Sequence, residues 1–148
     1  MVSLYLKVLN FKTKYPLTIG WRLSSHCRVI ESHINPDEKV LYAFVAQKNE
    51  SALDILNTCV VALTDKRLLI GHKRLLFGYF FYSITPDMFN DLQVKMGIIW
   101  GKVYIDTIRE LVILSNISRR ALIEIETKVS AYMMEQKKLY PLRSKANE

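Results

Sequence analysis

Seven short segments rich in β-branched and aromatic residues follow one another between residues 39 and 115, and they limit the fold more than any other feature. Polar residues, glycine or proline separate them. Strands at such short and even spacing are typical of an antiparallel β-sandwich or barrel. The predicted strands are 39–47, 57–63, 67–72, 73–84, 92–99, 100–107 and 109–115.

A helix is predicted before the strands, over about residues 18–33. Apolar residues recur there every three or four positions, at Ile19, Leu23, Cys27, Ile30 and Ile34. That spacing places them on one face of a helix. Thr18 is a candidate N-cap, and Asn35-Pro36 ends the helix.

A second, longer helix is predicted after the strands, over about 118–139. Its apolar residues repeat at the same spacing, at Leu122, Ile125, Val129 and Tyr132. Ser118 is a candidate N-cap, and the helix is expected to end before Pro141. A long amphipathic helix next to an antiparallel set buries its apolar stripe across an open end or face of the strands.

The first 17 residues show a different pattern. Val2, Leu4, Leu6 and Val8 alternate with polar or aromatic residues, which predicts a strand-like arm. The following "FKTKYP" interleaves aromatic residues with lysines, which is consistent with an edge strand or an interfacial arm. At the other end, residues 140–148 are expected to be a flexible tail.

The charge lies at the two ends of the chain. The net charge of the 148 residues is +7. Residues 1–34 carry five basic residues against one acidic residue, residues 35–117 carry nine of each, and residues 118–148 carry seven against four. Basic ends favour an anionic partner, such as a lipid surface, nucleic acid or an acidic protein. Solubility alone is the alternative explanation.

The sequence argues against a membrane-spanning or secreted protein. It has no run of about 18 apolar residues, which a membrane-spanning helix needs. The N-terminus lacks the features of a signal peptide. Cys27 and Cys59 lie far apart and form no CxxC pair, so we expect reduced, buried thiols in a cytoplasmic protein.

Catalytic and metal-binding patterns are also missing. No G-x-S-x-G and no phosphate-binding glycine loop occurs. His26 and His33 share a helix face at a spacing of seven, whereas paired helical ligands are usually four apart. They are more consistent with a partly buried polar rim. We therefore expect no enzyme activity, no metal, no cofactor and no small-molecule substrate.

Several motifs together resemble a bacterial pleckstrin-homology-like (PH-like) domain of the YokE-like group. They are "INPDEKVLYAFVA", "VVALTDKRLLI", "GKVYIDT" and the closing helix, over residues 34–139. The resemblance implies a mainly β (α+β) fold, a sandwich or barrel of seven antiparallel strands in two nearly orthogonal sheets that a C-terminal helix closes. The implied organisation is an N-terminal arm over 1–17, an additional N-terminal helix over 18–34, the PH-like domain over 35–139 and a tail over 140–148.

The resemblance also implies where an anion would bind. Lipid-binding relatives use basic residues from three strand connections, which here carry Lys48, then His72, Lys73 and Arg74, then Arg109. We expect residues 72–74 to form an exposed hairpin turn. The second strand, "NTCVVAL", has no basic residue, and Glu50 and Asp54 occupy the loop before it. The resemblance therefore does not extend to specific phosphoinositide binding.

The resulting expectation is a non-catalytic interaction module that associates with a protein partner or with copies of itself. Open strand edges can pair, and Tyr, Phe and Met are common at interfaces. The alternative is peripheral binding to an anionic membrane, on its inner face, through the basic termini "FKTKYP" and "KKLYPLRSK" and the hairpin at 72–74. Nucleic-acid binding is a remote alternative, because no recognised motif is present.

The motif "TDKR" is interpreted as a turn, with Asp65 and Lys66 at its centre and Asp65 bonded to its own backbone.

Overall fold

The structure is a computed structural model that describes residues 3–48 and 57–146, with side chains as far as Pro141. Glu50 and Asp54 lie outside the described residues. Seven antiparallel strands are present, close to the predicted positions. They are β1 Val40–Gln47, β2 Thr58–Thr64, β3 Leu68–Lys73, β4 Tyr79–Ile84, β5 Phe89–Met96, β6 Trp100–Thr107 and β7 Leu111–Ser118.

The strands form one curled sheet in the order β4-β3-β2-β1-β7-β6-β5. A four-stranded half and a three-stranded half meet where β1 and β7 pair, and this pairing consists of Gln47 opposite Ser115. The two predicted sheets are therefore halves of one curled sheet. The predicted architecture of seven antiparallel strands with helices at both ends is confirmed.

Helices flank the sheet at both ends of the chain. They are α1 Leu4–Lys14 and α2 Leu23–Glu31 before the strands, then a 3₁₀ turn Arg119–Ala121, α3 Leu122–Ile125, a π-helical turn Glu126–Ser130 and α4 Ala131–Ala146. Every residue of β2 is buried. Because successive side chains of a strand point to opposite faces, both faces of β2 are covered.

The prediction of a strand-like arm over residues 1–17 is wrong, because α1 is a helix. Leu4, Val8, Phe11 and Tyr15 are buried at helical spacing, whereas Leu6 is exposed. The Ser3 hydroxyl caps the helix by accepting a hydrogen bond from the Leu6 N–H at 3.3 Å. The short alternation of Leu4, Leu6 and Val8 coincides with part of this helical stripe, which explains the error.

The second helix is shorter than predicted, since it begins at Leu23 and not at Thr18. Thr18 is no cap: it is buried, and its hydroxyl accepts a hydrogen bond from the Ser118 N–H at 2.9 Å. The chain between the two helices contacts the junction of β1 and β7. Ile19 donates its N–H to the Asn116 carbonyl at 3.0 Å and accepts from the Gln47 amide at 2.9 Å. These contacts hold α2 in place against the strands.

Two predictions about the last helix are also wrong. Ser118 belongs to β7 and makes no side-chain cap bond. Pro141 lies inside α4, which continues to Ala146. A proline removes one backbone donor and disfavours a helix, but it does not by itself end one. The buried stripe predicted for this helix is largely present, with Leu122, Ile125 and Val129 in the core and Tyr132 partly buried against it.

The "TDKR" motif forms a turn, but Thr64 organises it more than Asp65 does. The Thr64 hydroxyl accepts hydrogen bonds from the N–H groups of Lys66 and Arg67, at 3.1 and 3.0 Å. The Asp65 carboxylate instead accepts from the Lys39 N–H at 2.9 Å, not from its own backbone. The interpretation as a turn is correct, and the predicted role of Asp65 within it is wrong.

A buried ion pair ties this turn to the start of β1. Arg67 donates to both carboxylate oxygens of Glu38, from Nε at 3.0 Å and from Nη2 at 3.1 Å. The Glu38 side chain has 0% exposure. Burial alone would raise the pKa of Glu38, but hydrogen bonds from Arg67 and Thr64 outweigh it and hold the pKa below its usual value. The charged residues of this motif therefore stabilise the fold.

Both cysteines are free and buried. Burial raises the pKa of Cys27 and of Cys59 to about 12, so both thiols are protonated near neutral pH. The prediction of buried, unpaired thiols is confirmed.

In the described part of the chain, no helix is long and apolar enough to cross a membrane.

Candidate functional site

The candidate site is built around the hairpin that joins β3 to β4. Lys73 and Tyr79 face each other at its base as the last cross-strand pair. The Arg74 N–H donates to the Gly78 carbonyl at 3.1 Å and closes a turn over residues 74–78. Gly78 has a φ of +76°, which glycine tolerates better than other residues. The predicted strand over 73–84 is therefore a turn followed by a shorter strand.

Three consecutive apolar side chains project from this turn. Leu75, Leu76 and Phe77 are 69%, 83% and 85% exposed. We call them the apolar tip. Isolated exposed apolar residues are ordinary, but three in a row at a hairpin end are a candidate contact surface. This surface was not predicted, because the composition of residues 75–77 is that of a strand.

The predicted hairpin turn at residues 72–74 lies partly in β3. His72 is half-buried, and its Nδ1 is 2.6 Å from the Thr58 carbonyl. Because a carbonyl only accepts, Nδ1 carries the proton and donates it. The expectation that His72 lies in an exposed turn is wrong, since the turn begins at Arg74. Lys73 and Arg74 are exposed as expected.

Lys48 also lies beside this hairpin. Its ammonium is 3.4 Å from the centre of the Phe80 ring, which is a cation–π contact, and Phe80 pairs with His72 across the strands. Arg109 lies elsewhere, on the exposed β6–β7 turn, where its N–H donates to the Thr107 hydroxyl at 3.3 Å. Among the described residues no hydrogen bond or ring contact links it to the other four predicted site residues.

A basic cavity of about 320 Å³ lies between α2 and the base of the hairpin. Its positive charge comes from Arg22 at the N-cap of α2, from Arg28 within α2, and from Lys73 in β3. Ser25, Ser32 and Tyr79 add hydroxyl groups to the lining. The Arg22 guanidinium donates to the Lys73 carbonyl at 3.3 Å, so the two elements meet at the cavity.

The contribution of α2 to this cavity was not predicted. A signal was available, because residues 22, 25, 29 and 32 share one helix face at spacings of three and four. The pattern did not show that this face turns toward Lys73. That depends on the packing of α2 across β3, where Ile30 lies close to Gly71.

The lysines of the basic N-terminal stretch, "FKTKYP", contact the protein itself and are not available to form a membrane-binding patch. Lys12 donates to the carbonyls of Pro16 and Thr18, and Lys14 pairs with Glu124 at 2.6 Å. Phe11 and Tyr15, the expected aromatic anchors, are buried in the core. The expectation that "FKTKYP" presents cations beside exposed aromatic rings is therefore wrong.

One lysine of the C-terminal basic stretch also contacts the protein itself. The Lys137 ammonium is 2.5 Å from the Phe89 carbonyl, so this cation contacts β5. Lys138 remains exposed. The β3–β4 hairpin and the adjacent basic cavity are therefore the better placed cationic surface.

His26 of α2 and His33, which lies just beyond the end of α2, make structural contacts. His26 accepts a hydrogen bond at Nδ1 from the Lys73 N–H at 2.8 Å, and its ring stacks on His72 with the centres 5.1 Å apart. Burial, helped by the neighbouring His72 and Arg22, lowers the pKa of His26 to about 4. His33 stacks on Phe81. Over residues 3–48 and 57–146, no group of three or more His, Cys, Asp or Glu residues could hold a metal.

Comparison with known proteins gives a family and a similar structure. No curated protein matches the chain. A crystal structure of a pleckstrin homology domain from Shewanella amazonensis is similar over 77% of this chain and 90% of that chain, with 13% identity and a TM-score of 0.49. The family model described as "Bacterial PH domain" matches residues 34–131, which is more than half of the chain. The YokE-like subgroup stays a prediction, but the chain belongs to the bacterial PH domain family.

Proposed function

We propose that this protein is a non-catalytic module that docks on anionic membrane surfaces through the β3–β4 hairpin. The observation that carries the proposal is the apolar tip, with side chains 69–85% exposed directly after the basic residues Lys73 and Arg74. The sequence favoured protein association first and membrane binding as the alternative. The position of the apolar tip supports the alternative.

The physical basis is the combination of two weak attractions. Moving a Leu or Phe side chain out of water is worth roughly 1.5–3 kcal/mol. A basic residue near an anionic bilayer adds about 1 kcal/mol. Three apolar side chains and the adjacent Lys73 and Arg74 would therefore give reversible binding, provided that the hairpin is already ordered. In a cytoplasmic protein the surface would be the inner face of the membrane.

A protein partner fits this tip less well. Each partner of a stable protein–protein interface buries roughly 800 Å². Three side chains at the end of a hairpin supply less than that. A narrow projecting tip suits insertion between lipid headgroups, because a bilayer adapts its shape around it.

The test is co-sedimentation with vesicles. The wild type is expected to bind phosphatidylcholine vesicles that contain phosphatidylglycerol, to bind pure phosphatidylcholine more weakly, and to dissociate as salt rises. A triple variant, Leu75→Ser/Leu76→Ser/Phe77→Ser, should lose binding and keep its melting temperature, because these side chains are exposed. Ile98→Ser is the matched control, since Ile98 is exposed on the β5–β6 hairpin. Equal binding by the triple variant and the wild type would reject the proposal.

Self-association is a second candidate, and the β5–β6 hairpin favours it. Ile98 is 91% exposed and lines an apolar cavity of about 370 Å³ with Ile99 and Trp100. β4 and β5 are the end strands of the sheet order, and strand edges can pair with another copy. Analytical ultracentrifugation tests this: a concentration-dependent dimer that Ile98→Ser weakens would support it. A monomer at high concentration that captures no protein from lysate would reject it.

A further inference from the structure

We propose that the basic cavity between α2 and the hairpin binds the phosphomonoester group of an anionic lipid. This inference rests on the proposed membrane function and names the ligand that the membrane would supply. It assigns a role to α2, which lies outside the residues that the family model matches.

The charge of the cavity supports an anionic ligand. Its three cationic residues are Arg22 and Arg28 from α2 and Lys73 from β3, and no acidic residue is among its described lining residues. In the described part of the chain, none of these three side chains forms an ion pair. Three cations around one cavity repel one another, so a phosphate group would relieve that repulsion.

The hydroxyl groups of the cavity are not equally available. The Ser32 hydroxyl already donates to the Val29 carbonyl at 2.8 Å. The Ser25 hydroxyl has no hydrogen-bond partner among the described residues and can donate to an anion. The Tyr79 hydroxyl is 3.4 Å from His33 Nε2. Ser25 is therefore the hydroxyl best placed to support the cations.

The backbone around the cavity is fixed on both sides. Lys73 donates its N–H to His26 and accepts at its carbonyl from Arg22. Arg22 has a φ of +53°, a left-handed conformation that is uncommon for residues other than glycine. The Trp21 N–H donates to the Thr58 hydroxyl at 3.1 Å and holds the preceding residue. Uncommon backbone conformations that the surroundings enforce are often found at functional sites.

The position of the cavity relative to the apolar tip identifies the source of the phosphate. Lys73 and Tyr79 form the base of the hairpin, and Leu76 lies three residues beyond Lys73. Three residues span at most about 10 Å, so the tip lies within about 10 Å of Lys73. Interfacial segments bury their apolar side about 5–10 Å into the headgroup boundary. An inserted tip would therefore place the cavity at the depth of the lipid phosphates.

A phosphomonoester suits this set of donors better than a diester. It carries about −1.5 to −2 charge near pH 7 and offers three acceptor oxygens. An arginine can bind two of these oxygens at once, and a lysine acts as a compact point charge. Phosphatidic acid is the simplest lipid with this group, whereas phosphatidylglycerol presents a singly charged diester.

The experiment compares vesicles of equal surface charge. Phosphatidylcholine vesicles with phosphatidic acid are matched to vesicles with phosphatidylglycerol by zeta potential. The wild type should bind the phosphatidic acid vesicles about tenfold more tightly, because charge-assisted bonds to arginine add to the general attraction. Arg28→Gln should remove this preference. Lys95→Gln removes an equal charge at an exposed position on β5 and should keep it.

The outcomes separate this site from the proposed function. Wild-type binding to neither kind of vesicle would reject both proposals. Equal binding to both, unchanged by Arg28→Gln, would reject the cavity and leave membrane docking standing. In a second arm, inorganic phosphate is titrated while the amide NMR signals of Ser25 and Lys73 are followed. Phosphate-dependent shifts without any vesicle preference would overturn the lipid assignment and identify free phosphate as the source.

Discussion

Arg22 shows how one residue links backbone conformation to the candidate site. It stands at the N-cap of α2 with φ of 53° and ψ of 42° and makes no side-chain cap bond. A left-handed conformation costs a residue with a Cβ roughly 1–2 kcal/mol. The side chain reaches the Lys73 carbonyl and lines the basic cavity. The residue therefore contributes its charge at some expense of stability.

The first prediction separates these two properties of Arg22. Arg22→Gly and Arg22→Ala both remove the guanidinium, so both should weaken binding to phosphatidic acid vesicles to the same extent. Only glycine relieves the backbone strain, so Arg22→Gly should be more stable than Arg22→Ala by about 1 kcal/mol. Urea denaturation measures the difference. Equal stability of the two variants would show that the backbone is not strained there.

Glu38 and Asp37 each pair with a basic side chain, but one pair is buried and the other is exposed. The Glu38 side chain is fully buried and accepts hydrogen bonds from Nε and Nη2 of Arg67. The Asp37 side chain is 72% exposed beside Lys66. Removing one partner of a buried pair leaves an unpaired charge out of water. Exposed pairs contribute little.

The second prediction follows from this contrast. Glu38→Ala should lower the free energy of unfolding by about 3 kcal/mol, because Arg67 and Thr64 lose their acceptor. Asp37→Ala, the matched control, should leave the denaturation midpoint almost unchanged. Neither variant should change vesicle binding in the folded protein. A Glu38→Ala variant as stable as the wild type would contradict the structural role given to this motif.

At the level of elements, the packing of α2 on β3 depends on a close approach at Gly71. A Cβ there would lie 2.6 Å from Ile30 Cγ1 and 3.2 Å from the His26 carbonyl. Any larger residue must push the helix away or distort Ile30. This contact sets the distance between the arginines of α2 and Lys73.

The third prediction concerns this contact. Gly71→Ala should destabilise the protein by about 1–3 kcal/mol through overpacking. The cost should shrink in an Ile30→Ala background, because the clashing carbon is removed. Thermal or urea denaturation of the wild type, both single variants and the double variant gives the coupling. Strictly additive effects would show that Ile30 does not limit the approach.

The elements differ in how much of them the sequence could predict. The strands were predictable because their β-rich segments are separated by clear turn signals. α1 was not, since four alternating residues satisfy a strand pattern and Leu4, Val8, Phe11 and Tyr15 satisfy a helical one. Both patterns were present, and only packing against the sheet decided between them.

The candidate site was predicted only in part, for a related reason. Lys48, His72, Lys73 and Arg74 were singled out by the family resemblance, and the structure places all four at or beside the β3–β4 hairpin. The exposure of the apolar tip could not be predicted, because its residues have the composition of a buried strand. The contribution of Arg22 and Arg28 depends on tertiary packing, which a single sequence does not show.

For the whole molecule, the N-terminal residues are part of the folded unit. The chain from Thr18 to Trp21 contacts β7, β1 and β2 through hydrogen bonds of Thr18, Ile19 and Trp21. Among the described residues, Gln47 and Ser115 are the one pair that joins the ladders of the two halves of the curled sheet. These contacts therefore strengthen the junction of the two halves and fix α2 beside the hairpin.

The fourth prediction is a pH dependence of global stability. The pKa of His26 is about 4 in the folded protein, against 6.5 when it is unperturbed. Below pH 6.5 the unfolded chain takes up a proton that the folded protein does not, so stability falls as the pH drops from 6.5 to 4. The loss is up to about 3 kcal/mol, at about 1.36 kcal/mol per pKa unit.

Urea denaturation at pH 7 and pH 5 tests this dependence. His26→Asn keeps an acceptor near the Lys73 N–H and cannot be protonated in this range. Its stability should therefore fall less than that of the wild type between the two pH values, whatever its absolute stability. An equal decrease in both proteins would assign the pH dependence to other groups.

Site-directed fluorescence shows whether the apolar tip enters the membrane. Cys27 and Cys59 are buried with pKa values near 12, so an environment-sensitive thiol dye will label an introduced cysteine selectively. Leu76→Cys places the dye on the tip, and Ile98→Cys places it on the β5–β6 hairpin as the control. On addition of phosphatidic acid vesicles we expect a blue shift and increased intensity at position 76 and no change at position 98. An unchanged spectrum at position 76, or the same change at both positions, would contradict docking through the β3–β4 hairpin.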